Sequence, residues 1–137
     1  MITTNTLVLD TSFISALLVE NDVHHQAAHA TLSALESPYF FIPMAVILEL
    51  GTLPLAIENN DYFNAIDQFL SAISYTLIEY DKDFSEYFIA LTKHYGHKVK
   101  PFDFSILVCC VRVHGELLSF DEKLLNHLER VKKMPMP

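Results

Sequence analysis

The feature that most constrains this chain is a repeated switch between short apolar runs and longer stretches of helical spacing. Leu7-Val8-Leu9 is such a run, and apolar residues then recur at 13, 14, 17 and 18. Tyr39-Phe40-Phe41-Ile42 follows, closed by Pro43, which cannot donate a ladder hydrogen bond. Ser74 to Tyr80 is rich in β-formers, and Leu117-Leu118-Ser119-Phe120 is a fourth short run. Runs of this kind suit strands buried on both faces, and the helical stretches between them supply the cover. The alternation predicts an α/β fold, a parallel sheet with helices on both faces, with Val131 beginning a last edge strand.

The connecting stretches carry their own signals. Asn21 and Asp22 offer an N-cap for a helix over Val23 to Leu35, which Ser37-Pro38 ends. Met44 to Leu50 reads as helical, and Gly51 with Pro54 predicts a kink or break. Asn59-Asn60-Asp61 reads as a turn and cap before an amphipathic helix over Tyr62 to Ile73. Asp81 or Asp83 caps a helix reaching about Tyr95, with Gly96 as its stop. Pro101 stands where a first-turn proline belongs, ahead of a helix over Phe102 to His114 and a stop at Gly115. Glu122 to Leu128 is a short helix.

A chain of 137 residues without linker, repeat or low-complexity tract is read as one domain spanning 1–137. Nine basic against 17 acidic residues give a formal charge of −8, which argues against broad nucleic-acid binding through a basic surface. An acidic metal site would account for several of those charges, so a nuclease stays open. Cys109 and Cys110 are adjacent, and neighbours on a helix point about 100° apart, so buried free thiols are expected rather than a disulfide. The apolar stretch around Phe104 to Val111 is too short to span a bilayer and is interrupted by Arg112. With no signal-peptide pattern, the expected setting is the cytoplasm, with no membrane partner.

Acids fall at the places that matter in such a fold. Asp10 and Asp121 each end a strand, and in a parallel sheet the C-terminal strand ends share one edge, where ligands bind. Asp103 lies in the first turn after Pro101, favoured there by the helix dipole, on a helix leading into the Asp121 strand. Glu49 is flanked by apolar residues in Ala45-Val46-Ile47-Leu48-Glu49-Leu50. Two readings stand for it: a solvent-facing acid on a buried helix, or a buried acid that needs a partner. Four carboxylates at one spot would raise one another's pKa values, and a hard divalent cation removes that penalty. Phosphate-ester hydrolysis is the chemistry such a constellation supports.

Taken in order, Val8-Leu9-Asp10-Thr11-Ser12, Ile47-Leu48-Glu49-Leu50, Tyr95-Gly96 leading to Asp103, and Leu118-Ser119-Phe120-Asp121 resemble the PIN-domain family, most closely its VapC-type toxin ribonucleases. The resemblance covers nearly the whole chain, and His24, His25, Ala27 and Ala28 match the flavour of the family's second helix. It implies a three-layer PIN-like fold with about five parallel strands and an acidic pocket that binds Mg²⁺ or Mn²⁺ and cuts RNA. Asp10 and Asp103 would be the principal metal ligands, while Glu49 and Asp121 would bind a second ion or orient water. Thr11, Ser12 and Ser119 match the hydroxyl positions that support the carboxylates. The resemblance also implies a homodimer and a small antitoxin partner. Where the family often has Ser or Thr at the start of the Glu-bearing helix, this chain has Pro43-Met44-Ala45.

Other residues admit competing readings. Lys93, His94, His97, Lys98 and Lys100 form the densest basic cluster, just before Asp103; they suit either an RNA backbone or a solvated helix end. His25 and His29 have helical i, i+4 spacing but no third metal ligand, which favours surface or dimer-face roles. A phosphatase of the HAD type would want a second Asp where Ser12 stands, and a receiver domain would want paired acids before its phosphorylated Asp, which Ile2 to Leu9 lacks. No Gly-rich phosphate loop with Lys is present, which excludes a GTPase. An inactive binding module of the same fold is disfavoured because all four acids are kept.

Overall fold

The structure, a computed structural model, describes residues 6–57 and 61–137. The chain runs β1 (Leu7–Leu9), α1 (Thr11–Leu18), α2 (His25–Ser33), β2 (Phe40–Pro43), α3 (Met44–Ile57), α4 (Asp61–Ala72) and β3 (Tyr75–Ile78). It continues through α5 (Lys82–His94), a 3-10 turn (Gly96–Lys98), α6 (Pro101–Val113), β4 (Glu116–Leu118) and α7 (Glu122–Val131). The strands pair in the order β3-β2-β1-β4, all parallel. Val8 sits opposite Phe41 on one side and Leu117 on the other. The fold class read from the sequence therefore holds, with β1 in the middle of the sheet.

Four strands are present among the described residues rather than about five, because Val131 ends α7 instead of opening an edge strand. Leu124, Leu128 and Val131 are all buried at helical i, i+4, i+7 spacing, so one apolar stripe takes Val131 into the core. The core is contiguous, from Val8 and Leu9 of β1 through Ile14 of α1 and Val46 of α3 to Ile106 and Leu107 of α6. No helix among the described residues is long and apolar enough to cross a membrane.

Three local expectations are corrected. The second helix begins at His25 rather than Val23, because Asp22 Oδ1 accepts the His24 backbone N–H at 2.8 Å and holds that stretch in a side-chain turn. Residues 44–57 form one helix through Gly51 and Pro54. Burial of Ala45, Val46 and Leu50 anchors its first half, and Pro54 stands one turn from its end, where its missing N–H forfeits a single ladder bond. Of the turn expected at Asn59-Asn60-Asp61, the first two residues lie outside the described ones, and Asp61 opens α4.

The third correction concerns Gly115. The left-handed residue that ends α6 is His114, at φ 51° and ψ 43°. Its N–H bonds Val111 O at 3.3 Å, and the Gly115 N–H bonds Cys110 O at 2.9 Å, closing the last turn. Gly115 is needed for a different reason: a Cβ there would lie 2.7 Å from Val8 Cγ2. The glycine lets the chain leave α6 hard against β1 and enter β4 in register.

Two helices that carry site acids are tied together by a half-buried relay. The Ser105 hydroxyl donates to Phe102 O at 2.6 Å, so the Tyr80 hydroxyl donates to Ser105 Oγ at 2.7 Å. Tyr80 Oη then accepts the Ala45 N–H at 3.0 Å, joining the start of α3 to the start of α6. Burial raises the Tyr80 phenol above its ordinary pKa, which keeps it a donor. Cys109 and Cys110 are buried free thiols, as expected, and burial pushes Cys109 up to about 12.

Candidate active site

Asp10 follows β1 and is only 5% exposed. Its backbone carbonyl accepts the Phe13 and Ile14 N–H groups that begin α1, and its N–H bonds Leu118 O at 3.1 Å. The side chain gives no helix cap and is held instead by two hydroxyls. Ser12 Oγ donates to Asp10 Oδ2 at 2.7 Å, and Ser119 Oγ donates to the same oxygen at 2.6 Å. Each serine has one proton, and both are spent on Asp10, so their 3.1 Å approach to one another is a contact of two acceptors. Both are filled from the other side: the Phe120 N–H bonds Ser12 Oγ and the Asp121 N–H bonds Ser119 Oγ, each at 3.0 Å. Ser12 and Ser119 thus clamp Asp10 to the end of β4.

The other three acids come from three further elements. Asp121 caps α7, its Oδ1 accepting the Leu124 N–H at 3.0 Å. Asp103 lies in the first turn of α6, and Glu49 in α3. Glu49 is half-buried, which settles the two readings left by the sequence in favour of an inward-facing acid. Burial raises its pKa first, and the negative charges of Asp10 and Asp103 raise it further. Asp103 is raised likewise by burial and then by Asp10 and Asp121, with Lys100 pulling the other way. The four acids therefore share one electrostatic neighbourhood. Thr11, expected to support the carboxylates, faces Glu49 rather than Asp10 and damps its rise. The approach stops short of a full hydrogen bond, since Thr11 Oγ1 and Glu49 Oε1 are both buried without a partner.

This donor set suits a hard divalent cation: oxygen ligands only, partly desolvated, mutually repelling, with a buried carboxylate oxygen unsatisfied. Among the described residues no three such side chains are already closed into a metal-binding group. An ion that keeps several waters and takes only one or two carboxylates directly, as Mg²⁺ does, needs no closed cage.

Beside the acids lies a cleft of about 280 Å³ lined by Lys98, Val99, Lys100, Asp103, Asp121, Lys123, Leu124 and His127. Three of the nine basic residues of an acidic chain thus meet at one place. Of the basic cluster read from the sequence, Lys98 and Lys100 reach this cleft, whereas Lys93 and His94 end α5 outside its lining. Lys123 and His127 were missed; their i, i+4 spacing on one face of α7 was the available signal. Tyr95, buried, hydrogen-bonds His127 Nδ1, and Lys98 Nζ lies 5.1 Å from the Tyr95 ring centre. His25, half-buried, and His29, exposed, brace α2 against the end of α1. Their ring N–H groups bond Ala16 O at 2.8 Å and Leu17 O at 3.2 Å, satisfying the open carbonyls at the end of α1.

Fold and site together define a parallel α/β domain whose carboxylates gather where β1 and β4 end. The chain belongs to the PIN domain family, whose model matches residues 7–131. Its fold is similar to that of VapC20 of Mycobacterium tuberculosis, a sarcin-ricin loop cleaving toxin, at 18% identity and a TM-score of 0.72 over 89% of this chain and 95% of that one. VapBC2 of Rickettsia felis, bound to a promoter DNA fragment, matches at 16% identity and a TM-score of 0.70 over 88% and 92%. FitAcB of Neisseria gonorrhoeae matches at 16% identity and a TM-score of 0.64 over 90% and 94%. No curated protein sequence matches the chain.

Proposed function

We propose that this protein is a divalent-metal-dependent endoribonuclease that hydrolyses RNA phosphodiester bonds. The observation that carries the reading is the convergence of Asp10, Glu49, Asp103 and Asp121 beside a lysine-lined cleft in a chain of the PIN family. Asp10 and Asp103 would hold Mg²⁺ or Mn²⁺, which when bound supplies a polarised water and offsets charge on the phosphate. Ser12 and Ser119 fix the direction of the Asp10 carboxylate by donating to its Oδ2. Glu49 and Asp121 orient water or hold a second ion. Lys98 and Lys100 receive the strand's phosphates and steer an anion past a net-negative surface.

The family resemblance and the structural neighbours support a place in a toxin–antitoxin pair, with the chain as toxin and a small antitoxin as partner, and the resemblance alone implies a homodimer. The domain is proposed to span 1–137 and to act in the cytoplasm.

Purified protein should cleave RNA with Mg²⁺ or Mn²⁺, lose cleavage in EDTA and lose it in Asp10→Asn. Cleavage that survives EDTA or Asp10→Asn would overturn the mechanism. The toxin role is tested separately: induced expression should halt growth, and unchanged growth would remove it.

A further inference from the structure

The acidic site has a second rim, opposite in chemistry to the lysine cleft. Phe120 sits in the chain between Ser119 and Asp121, and its N–H reaches Asp10 through Ser12. Its ring stacks on Phe13 with centroids 5.8 Å apart and planes 11° apart. On Phe120 lies His24, with centroids 4.3 Å apart and planes only 3° apart. Three nearly parallel rings thus form a column that starts in the core at Phe13, 2% exposed, and ends at His24 on the surface.

His24 serves no evident fold role in that position. It is the N-cap residue of α2, yet its side chain makes no capping bond, and its place is fixed through its backbone N–H on Asp22. Its neighbours differ, since His25 and His29 spend their ring nitrogens on α1. With one face of the His24 ring laid on Phe120 and the residue exposed, the other face is open to solvent. A flat ring held parallel to its support is a ready surface for another flat ring. Sites for single-stranded nucleic acid pair such aromatic platforms with a cationic groove that tracks the backbone. Here the platform and the groove flank the same acids, since Phe120 precedes Asp121 in the chain and Asp121 lines the lysine cleft.

We propose that the exposed ring of His24, stacked on Phe120, is the platform on which one nucleobase of a single-stranded RNA stacks next to the phosphate being cut. The inference rests on the ribonuclease reading of the acidic site. The strand runs from this base over the acids, with its next phosphates in the Lys98, Lys100 and Lys123 cleft. Stacking reads area rather than base edges, so the platform position favours purines over pyrimidines.

The test uses short synthetic RNAs of one cleavable sequence, each with a single abasic position, cut by the full chain, by His24→Ala and by His24→Trp. In the wild type one abasic position next to the cleavage site should lower kcat/KM about tenfold, mainly through KM, a value within the range of a single base–aromatic stack. His24→Ala should lose about the same factor on intact RNA and become insensitive to that abasic position, while His24→Trp restores both rate and sensitivity. The melting temperature of His24→Ala should match the wild type, which separates a substrate role from a structural one. His24→Ala cleaving as well as wild type, or keeping its sensitivity to the abasic position, overturns the proposal. A His24→Ala protein that cleaves normally but loses binding to an antitoxin assigns the ring to a protein partner and overturns it too. A wild-type protein that cuts no RNA removes the ribonuclease reading itself.

Discussion

Replacing Asp10 by Asn should make the metal-free protein more stable while abolishing cleavage. The charge of Asp10 raises both Glu49 and Asp103, so at neutral pH it stands in repulsion with two half-buried carboxylates. One unit of pKa corresponds to about 1.4 kcal/mol. Both partners keep partial solvent contact, so the relief per pair is discounted to well below that, and the sum is about 1 kcal/mol. The Asn carbonyl still accepts from Ser12 and Ser119, so the clamp survives the change, and the new amide can donate towards its acidic neighbours. For a domain of this length, 1 kcal/mol moves the melting temperature by about 4 °C. Thermal melts in EDTA at pH 7 read it directly, and they should also show that Asp10→Asn loses the upward shift that Mn²⁺ gives the wild type. A variant that melts below the wild type in EDTA would refute the idea that these acids strain the fold.

Ser119→Ala removes a donor from the Asp10 carboxylate and an acceptor from the Asp121 N–H. Denaturant unfolding should show a loss of about 1.5–3 kcal/mol, with cleavage falling as well. Gly115→Ala should destabilise by about 1–3 kcal/mol, because its Cβ would press on the buried, β-branched Val8. The pH dependence has a definite sign. Glu49 and Asp103 are raised in the fold, so their contribution is fully present below the unfolded pKa and is lost as pH rises through the folded values. The metal-free melting temperature should rise as pH falls towards the ordinary carboxylate range, and Mn²⁺ should flatten that trend. Tyr80→Phe breaks the relay between α3 and α6, and should lower both stability and cleavage although Tyr80 lies outside the acidic site.

The two inner strands β1 and β2 were legible as continuous apolar runs, and the edge strand β3, with Thr76 and Leu77 exposed, by its β-formers. Asp10, just after β1, and Asp121, three residues past β4, were legible because parallel strands share a C-terminal edge. Glu49 stood out by its apolar neighbours, though only packing could show that it faces inward. What stayed hidden depends on which helices meet. Lys123 and His127 join Lys98 and Lys100 only because α7 packs beside the start of α6. His24 meets Phe120, 96 positions away, only because α2 docks on α1 near the end of β4. Val131 was misread because a lone β-branched residue carries no period, whereas Leu124, Leu128 and Val131 together do. Gly115 was located rightly as the end of α6 but for the wrong reason, since the close approach to Val8 is a tertiary fact.

The central claim joins one metal-dependent chemistry to four named acids. It is tested most directly by titrating Mn²⁺ into the purified protein in a calorimeter while RNA cleavage is measured at each point, for the wild type and for Asp10→Asn, Glu49→Gln, Asp103→Asn and Asp121→Asn. The account predicts that cleavage rises with the bound ion in the wild type, and that Asp10→Asn and Asp103→Asn lose both binding and cleavage. Tight Mn²⁺ binding and full cleavage in Asp10→Asn or Asp103→Asn would contradict it.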